Sequence, residues 1–142
     1  MAMINEIILK QISEIENECF LEAWSYEGLR ETFSYDYNRL YVETVGEQVV
    51  GYLIANVLGD ETELLRIATP KGYRRQGIAQ KLLNMYFEDT KDICTRYLLE
   101  VRKSNDIARQ LYENNNYHAI ALRKNYYSRP SEDAIIYERS IG

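Results

Sequence analysis

One stretch of the chain leaves little freedom over how it can fold: an apolar run, a glycine-bearing turn, an amphipathic segment and a second apolar run. Glu63-Leu64-Leu65-Arg66-Ile67-Ala68 reads as a buried strand. Pro70 and Gly72 then turn the chain. Tyr73-Arg74-Arg75-Gln76-Gly77-Ile78-Ala79 leads into residues that are apolar at helical spacing as far as about Thr90, and Arg96 to Val101 is the next strand. Strand, helix, strand in this order implies a right-handed parallel crossover. A helix opening through Gly77 and Ala79 presents unpaired N–H groups and the positive end of its dipole. That makes an anion site, with Arg74 and Arg75 adding positive charge in a chain that is acidic elsewhere. The spacing is neither the dinucleotide fingerprint, which needs G-x-G-x-x-G, nor a phosphate loop ending in Gly-Lys-Ser/Thr. Alone, the heptapeptide also fits a surface turn with two solvated arginines.

The rest of the chain extends this unit. Ile4 to Lys10 is expected as a first strand, and Ile12 to Phe20 as a short amphipathic helix. Ser25 caps a second helix over Tyr26 to Phe33. Leu40 to Val45 and Gln48 to Leu58 form a hairpin about Gly46-Glu47. After the crossover, Lys103-Ser104-Asn105-Asp106 opens a helix over Ile107 to Asn114, with Ile107, Ala108, Leu111 and Tyr112 on its apolar side. Asn114-Asn115-Asn116 ends it, and Tyr117 to Arg123 and Ala134 to Arg139 are the final strands, joined by a polar loop from Lys124 to Pro130. The expected fold is α/β: a mixed sheet with helices on both faces, in the order β-α-α-β-β-β-α-β-α-β-β. The 142 residues suit one domain, 1–142.

Composition bounds the function. No stretch reaches the ~18 apolar residues of a membrane span, and the N-terminus lacks a secretory pattern. Cys19 and Cys94 lie far apart, without metal or redox spacing, and read as free buried thiols of a reducing cytoplasm. The net charge of −5 argues against direct nucleic-acid binding and is compatible with a basic substrate. Glu18, Glu22, Glu27 and Glu31 are either a solvated face or an attraction for such a substrate. No His/Cys/Asp cluster suggests a metal, and the only histidine, His118, reads as structural.

Arg74-x-x-Gly77-x-Ala79 is similar to the Q/R-x-x-G-x-G/A signature of the GNAT superfamily of acetyl-CoA-dependent N-acetyltransferases, and the expected element order is that of the superfamily. A second block, Leu99-Glu100-Val101-Arg102 with Ser104-Asn105, Ala108 and Leu111-Tyr112-Glu113, resembles its bacterial RimI branch. So do Cys19-Phe20 with Ala23-Trp24-Ser25, and Arg123-x-Asn125-Tyr126-Tyr127 with Glu132-Asp133-Ala134. That branch acetylates protein N-termini, its namesake substrate being the N-terminal alanine of a small-subunit ribosomal protein. The resemblance implies acetyl-CoA as cosubstrate and no metal. It implies that Arg74, Arg75, Gln76, Gly77, Ile78 and Ala79 hold the pyrophosphate. Ile67, Ala68 and Thr69 would offer strand-edge backbone groups to the acetyl carbonyl and pantetheine arm, Asn105 would contact the cofactor, and the central parallel strands would splay.

It further implies Glu100 as general base and Tyr112 as general acid. Apart from the resemblance, Glu100 is a lone carboxylate among Leu98, Leu99 and Val101, costly unless it faces a wet cleft or pairs with Arg102 or Arg66. Tyr112, one of 13 tyrosines, reads by periodicity as a core residue. A free α-amine has a pKa near ~8 against ~10.4 for lysine, which makes an N-terminus the easier group to deprotonate at neutral pH. Tyr126 and Tyr127 would line a peptide groove or stand as exposed loop aromatics. The chain departs from the family at Arg66, often Asn, and at Asn116-Tyr117, often Gly-Phe. A lysine side chain or a small amine as acceptor, or a non-catalytic acetyl-CoA-binding module, remain alternatives.

Overall fold

The computed structural model describes residues 4–128 and 130–141. The chain opens with a helix rather than the strand expected at Ile4 to Lys10: α1 spans Glu6–Cys19. Asn5 caps it, its side chain accepting the Ile8 amide at 2.9 Å. Leu9, Ile12, Ile15 and Glu16 are buried along one face, while Ile7, off that stripe, is 71% exposed. The short apolar cluster that read as a strand is thus the start of a 3.6-residue stripe.

Next come α2 (Tyr26–Thr32), β1 (Asn38–Val45), β2 (Gln48–Leu58), β3 (Glu61–Ala68), a 3₁₀ turn (Lys71–Tyr73) and α3 (Ile78–Thr90). They are followed by β4 (Arg96–Arg102), α4 (Asp106–Glu113), β5 (Tyr117–Ser128) and β6 (Ser131–Arg139). As expected, Ser25 accepts from the Gly28 amide at 3.0 Å, and Asn116 closes the turn after α4 with φ +69°. Two other expectations change. Ile107 is 86% exposed, because α4 packs through Ala108, Leu111 and Tyr112, leaving Ile107 off that face. The stretch read as a polar loop from Lys124 continues β5 as far as Ser128, with an irregularity between Arg123 and Tyr127 and Asn125 at φ +53°. β5 is an edge strand, exposed along most of its length, so polar composition does not bar its pairing.

The six strands run β1-β2-β3-β4-β6-β5, and only β3 and β4 are parallel. One face packs α3 and α4 around Leu82, Leu83, Tyr86, Tyr97 and Tyr137; the other packs α1 and α2 around Ile12, Leu29, Tyr52 and Ile54.

Two bulges shape the centre. On β2, Val50 has no partner where Glu43 pairs with Gly51 and Thr44 with Val49. A Cβ at Gly51 would come within 2.6 Å of Ile78 Cγ2 and 3.2 Å of Leu82 Cδ1, so the first turn of α3 sits directly on the β2 backbone. On β3, Leu65 has no partner where Ile54 pairs with Arg66 and Ala55 with Leu64. The parallel β3–β4 ladder ends at Leu64 and Leu99, one residue before that bulge. An extra residue bends its strand and increases its twist. Beyond Leu64, β3 therefore leaves β4, and the sheet opens where the next residues of β4 are Glu100, Val101 and Arg102.

Candidate active site

The opening is a cleft of about 660 Å³. β3 lines it with Leu64 to Ile67, β4 with Glu100 to Arg102, the chain after α1 with Phe20, Leu21, Glu22 and Trp24, and α4 with Asn105, Ala108 and Tyr112. Tyr127 of β5 closes another side. Of the residues singled out in the sequence, Ile67, Glu100, Asn105 and Tyr112 therefore meet at one cavity. Ala68, Thr69 and Arg74 to Ala79 lie outside its lining, where the chain continues from Ile67 into α3.

Glu100 and Tyr112 reach the cleft from opposite faces of the sheet. Tyr97, Leu99 and Val101 pack on the α3–α4 side, so the alternation of β4 turns Glu100 to the side of α1. Its partner is neither Arg102 nor Arg66 but Arg123 of β5, at 3.2 Å. Sequence reading missed Arg123 because the pair spans two strands and forms only once β6 lies between them. Glu63 carries a carboxyl raised above the usual range, first by burial and then by the nearby Glu100 charge, with Arg123 opposing. Arg102 lies 4.2 Å over the Tyr127 ring, with Glu132 Oε1 at 3.4 Å and the Pro130 carbonyl at 2.9 Å. Tyr127, read as a loop aromatic or a groove residue, thus sits in the cleft wall; Tyr126 beside it is 50% exposed.

Tyr112 is 5% exposed and packs against Tyr117 and Tyr137, with ring centroids 5.8 and 6.4 Å away. Burial pushes its phenol well above the ordinary tyrosine value, so it stays protonated at neutral pH. No hydrogen bond among the described residues uses its hydroxyl. Asn105 caps α4, its Oδ1 accepting the Ala108 amide at 3.2 Å.

The approach to α3 is a run of open amides. Arg75 and Gly77 have φ of +65° and +77°. The first helical amide to find an acceptor is Lys81, on the Gly77 carbonyl at 3.0 Å; those of Gln76 to Gln80 have none among the described residues. Left-handed residues alternating with ordinary ones turn successive N–H groups to one side, a concavity suited to anions. Nothing lies within 4 Å of a Cβ built on Gly77, so the space before it is clear. Neither Arg74 nor Arg75 forms an ion pair among the described residues. Arg74 donates through Nε to the Thr69 carbonyl at 3.0 Å and lies 3.6 Å from Cys19 Sγ. Cys94 is buried as expected, but Cys19 is only part-buried, because α1 ends at the cleft.

His118 stands exposed on β5, and the described residues contain no cluster of His, Cys, Asp or Glu that could hold a metal. No described helix is long and apolar enough to cross a membrane.

Known proteins are similar to this chain in sequence and fold. Residues 9–117 match the acetyltransferase (GNAT) family model. The [ribosomal protein bS18]-alanine N-acetyltransferase of Haemophilus ducreyi is 34% identical over 94% of this chain and 97% of its own. The crystal structure of the ribosomal-protein-S18-alanine N-acetyltransferase from Escherichia coli superposes with a TM-score of 0.88 at 27% identity, covering 99% of this chain and 94% of that one. The Arabidopsis thaliana NAA60 structure in complex with acetyl-CoA shares the fold, with a TM-score of 0.83 at 16% identity over 95% and 94% of the two chains. The match to the family model, over most of the chain and across both the open-amide turn and the split strands, shows that this protein belongs to the GNAT family of acetyltransferases.

Proposed function

We propose that the protein transfers an acetyl group from acetyl-CoA to the free α-amine of a protein N-terminus, the acceptor being the N-terminal alanine of a small-subunit ribosomal protein. The observation that carries this reading is the opening of the sheet immediately beyond Leu64 and Leu99. It leaves the edge of Ile67 to Thr69 without a β4 partner and sets Glu100 and Tyr112 on one cavity. The bacterial relatives, whose named acceptor is such an alanine, support the choice of acceptor.

The residues present fit acetyl-CoA. The amides of Gln76 to Ala79, the clear space at Gly77 and the charges of Arg74 and Arg75 suit a diphosphate. The unpaired edge of Ile67, Ala68 and Thr69 suits an amide-bearing arm and can donate to a carbonyl oxygen, an oxyanion-type role. Asn105 keeps its side-chain N–H₂ for the same molecule while its oxygen caps α4. When bound, acetyl-CoA supplies an activated thioester. Glu100 takes the proton of the acceptor amine, directly or through water. Tyr112 donates its phenolic O–H to the departing sulfur as a hydrogen bond. With a thiol pKa near ~8.5 and a tyrosine value near ~10, full transfer is uphill by roughly 2 kcal/mol before burial adds to it, so the phenol acts chiefly as a hydrogen-bond donor. Holding both reactants in one cleft supplies the remaining advantage through positioning.

Mass spectrometry after incubation with acetyl-CoA and paired peptides tests the reading. A peptide beginning with a free alanine should gain one acetyl group, and its N-terminally blocked, lysine-containing counterpart should gain none. Acetylation of the blocked peptide alone would replace this function with lysine acetylation.

A further inference from the structure

Arg66 follows the β3 bulge, and its side chain is turned to the α1 face. Its guanidinium lies between the rings of Phe20, 4.2 Å to the centroid, and Trp24, 4.7 Å. One terminal nitrogen donates to the Glu22 carbonyl at 2.8 Å and lies 3.4 Å from Glu16 Oε1. Glu16 is 0% exposed; the same oxygen accepts the Trp24 amide at 2.8 Å, and the other accepts the Tyr52 hydroxyl. These bonds tie the Phe20–Trp24 segment to the sheet. That segment lines the cleft beside Glu100, in the part left over once the edge of Ile67 to Thr69 and the start of α3 are assigned to the cofactor.

Arg66 also bears a cost. Its Nε is buried without a hydrogen-bond partner. A buried donor left unsatisfied beside a bonded carboxylate calls for an explanation other than stability. The wall that results consists of two aromatic rings and a stacked cation neutralised by Glu16, held close by three polar contacts. Such a wall carries Glu22 as its one carboxylate and offers an incoming side chain little give.

We infer that Arg66 selects the acceptor's first residue: it clamps the Phe20–Trp24 segment as an aromatic wall that admits a small side chain and excludes a bulky one. This rests on the N-terminal acetyltransferase reading. Arg66 is a positioning residue and has no part in moving the proton or the acetyl group.

The test compares two N-terminally free peptides that differ only in their first residue, alanine or leucine. Arg66→Ala combined with Glu16→Gln removes the clamp and leaves no unpaired buried charge, which keeps the chain folded. In that variant KM for the alanine peptide should rise about tenfold, and the alanine-over-leucine preference in kcat/KM should fall by about tenfold, the range that one or two methylenes in a pocket command. KM for acetyl-CoA should stay within about twofold, because none of the clamp's bonds described above involves Arg74 to Ala79. Arg66→Lys, which keeps the charge but not the planar stack, should recover part of the preference. Trp24 is the only tryptophan, so its emission reports the clamp directly and should shift to the red in the double variant. A red shift with an unchanged alanine-over-leucine ratio would overturn the inference, as would an equal loss of kcat on both peptides. If the unaltered enzyme acetylates neither peptide, the proposed function falls and the inference with it; if it acetylates either and the ratio stays put, only the inference falls.

Discussion

The two ends of the cleft are built by different means. At the α3 end, consecutive residues do the work: Arg74 to Ala79 lie within one turn, and their open amides follow from how any helix begins. At the other end nothing is local. Glu100 meets Arg123 across β6, Arg66 meets Glu16 and Trp24 across the α1–β3 contact, and the opening between them depends on one unpaired residue, Leu65. The first end is a local run of open amides, which the proposed function assigns to the diphosphate. The second is a set of mutual constraints, where one substitution reaches several neighbours.

The largest test of that contrast is Glu100→Gln. It keeps the shape of the side chain and removes the proposed base, so turnover on the alanine peptide should drop by roughly 10²–10⁴. KM for acetyl-CoA, set at the other end, should not move. Steady-state kinetics with each substrate varied in turn separates the two, and unchanged turnover would remove Glu100 from the chemistry. Next in size is Glu16→Ala. It leaves Arg66 and the Tyr52 hydroxyl without their buried acceptor, and breaking such a pair costs about 3–5 kcal/mol. Urea unfolding should show this as a lower midpoint with an unchanged slope.

The same contrast explains what could be read from residues alone. The crossover from β3 through α3 to β4, the Ser25 cap and the turn at Asn116 each depend on a few adjacent residues, and each was legible. The start of α3 at Gly77 was legible for the same reason. The first half of α1 was not, because Ile4, Ile7, Ile8 and Leu9 fit a strand as well as a helix until Leu9 is seen to share one buried face with Ile12, Ile15 and Glu16; the part from Ile12 was expected as a helix. The continuation of β5 through Tyr126 and Tyr127 was hidden because an edge strand needs no apolar alternation. The bulge at Leu65 left no mark at all. An extra residue in a strand is defined only by its partner's register, and that register is set by β2.

A third test concerns which side of the sheet governs Tyr112. Burial raises the phenols of Tyr86, Tyr97, Tyr112 and Tyr117 above the ordinary tyrosine value. All four belong to the α3–α4 core. Each prefers its neutral form in the folded chain more than in the unfolded one. Their contribution to stability is therefore complete below the unfolded value near ~10 and is lost as pH rises beyond it, by up to about 1.4 kcal/mol per pH unit for each phenol. Thermal unfolding followed from pH 8 to about pH 11 should give a flat midpoint and then a steep fall. A midpoint that holds through that range would mean the stack is wetter than its packing implies.

The smallest expected effect lies at the local end, at Gly77→Ala. Its φ of +77° is one that a residue with a Cβ adopts at a cost of roughly 1–2 kcal/mol. No atom lies within 4 Å of the added methyl, so the protein itself raises no clash. Two outcomes separate two reasons for glycine here. If only backbone conformation matters, the melting temperature falls by a few degrees, as about 1 kcal/mol implies for a chain of this size, and KM for acetyl-CoA stays put. If the space before Gly77 is where the diphosphate approaches, the methyl occupies it, and KM for acetyl-CoA rises about tenfold beyond what the lost stability explains. The second outcome is the one expected. It would leave kcat at saturating acetyl-CoA within about twofold, since the methyl lies away from the reacting atoms, and that separation of KM from kcat is the reverse of the one Glu100→Gln produces.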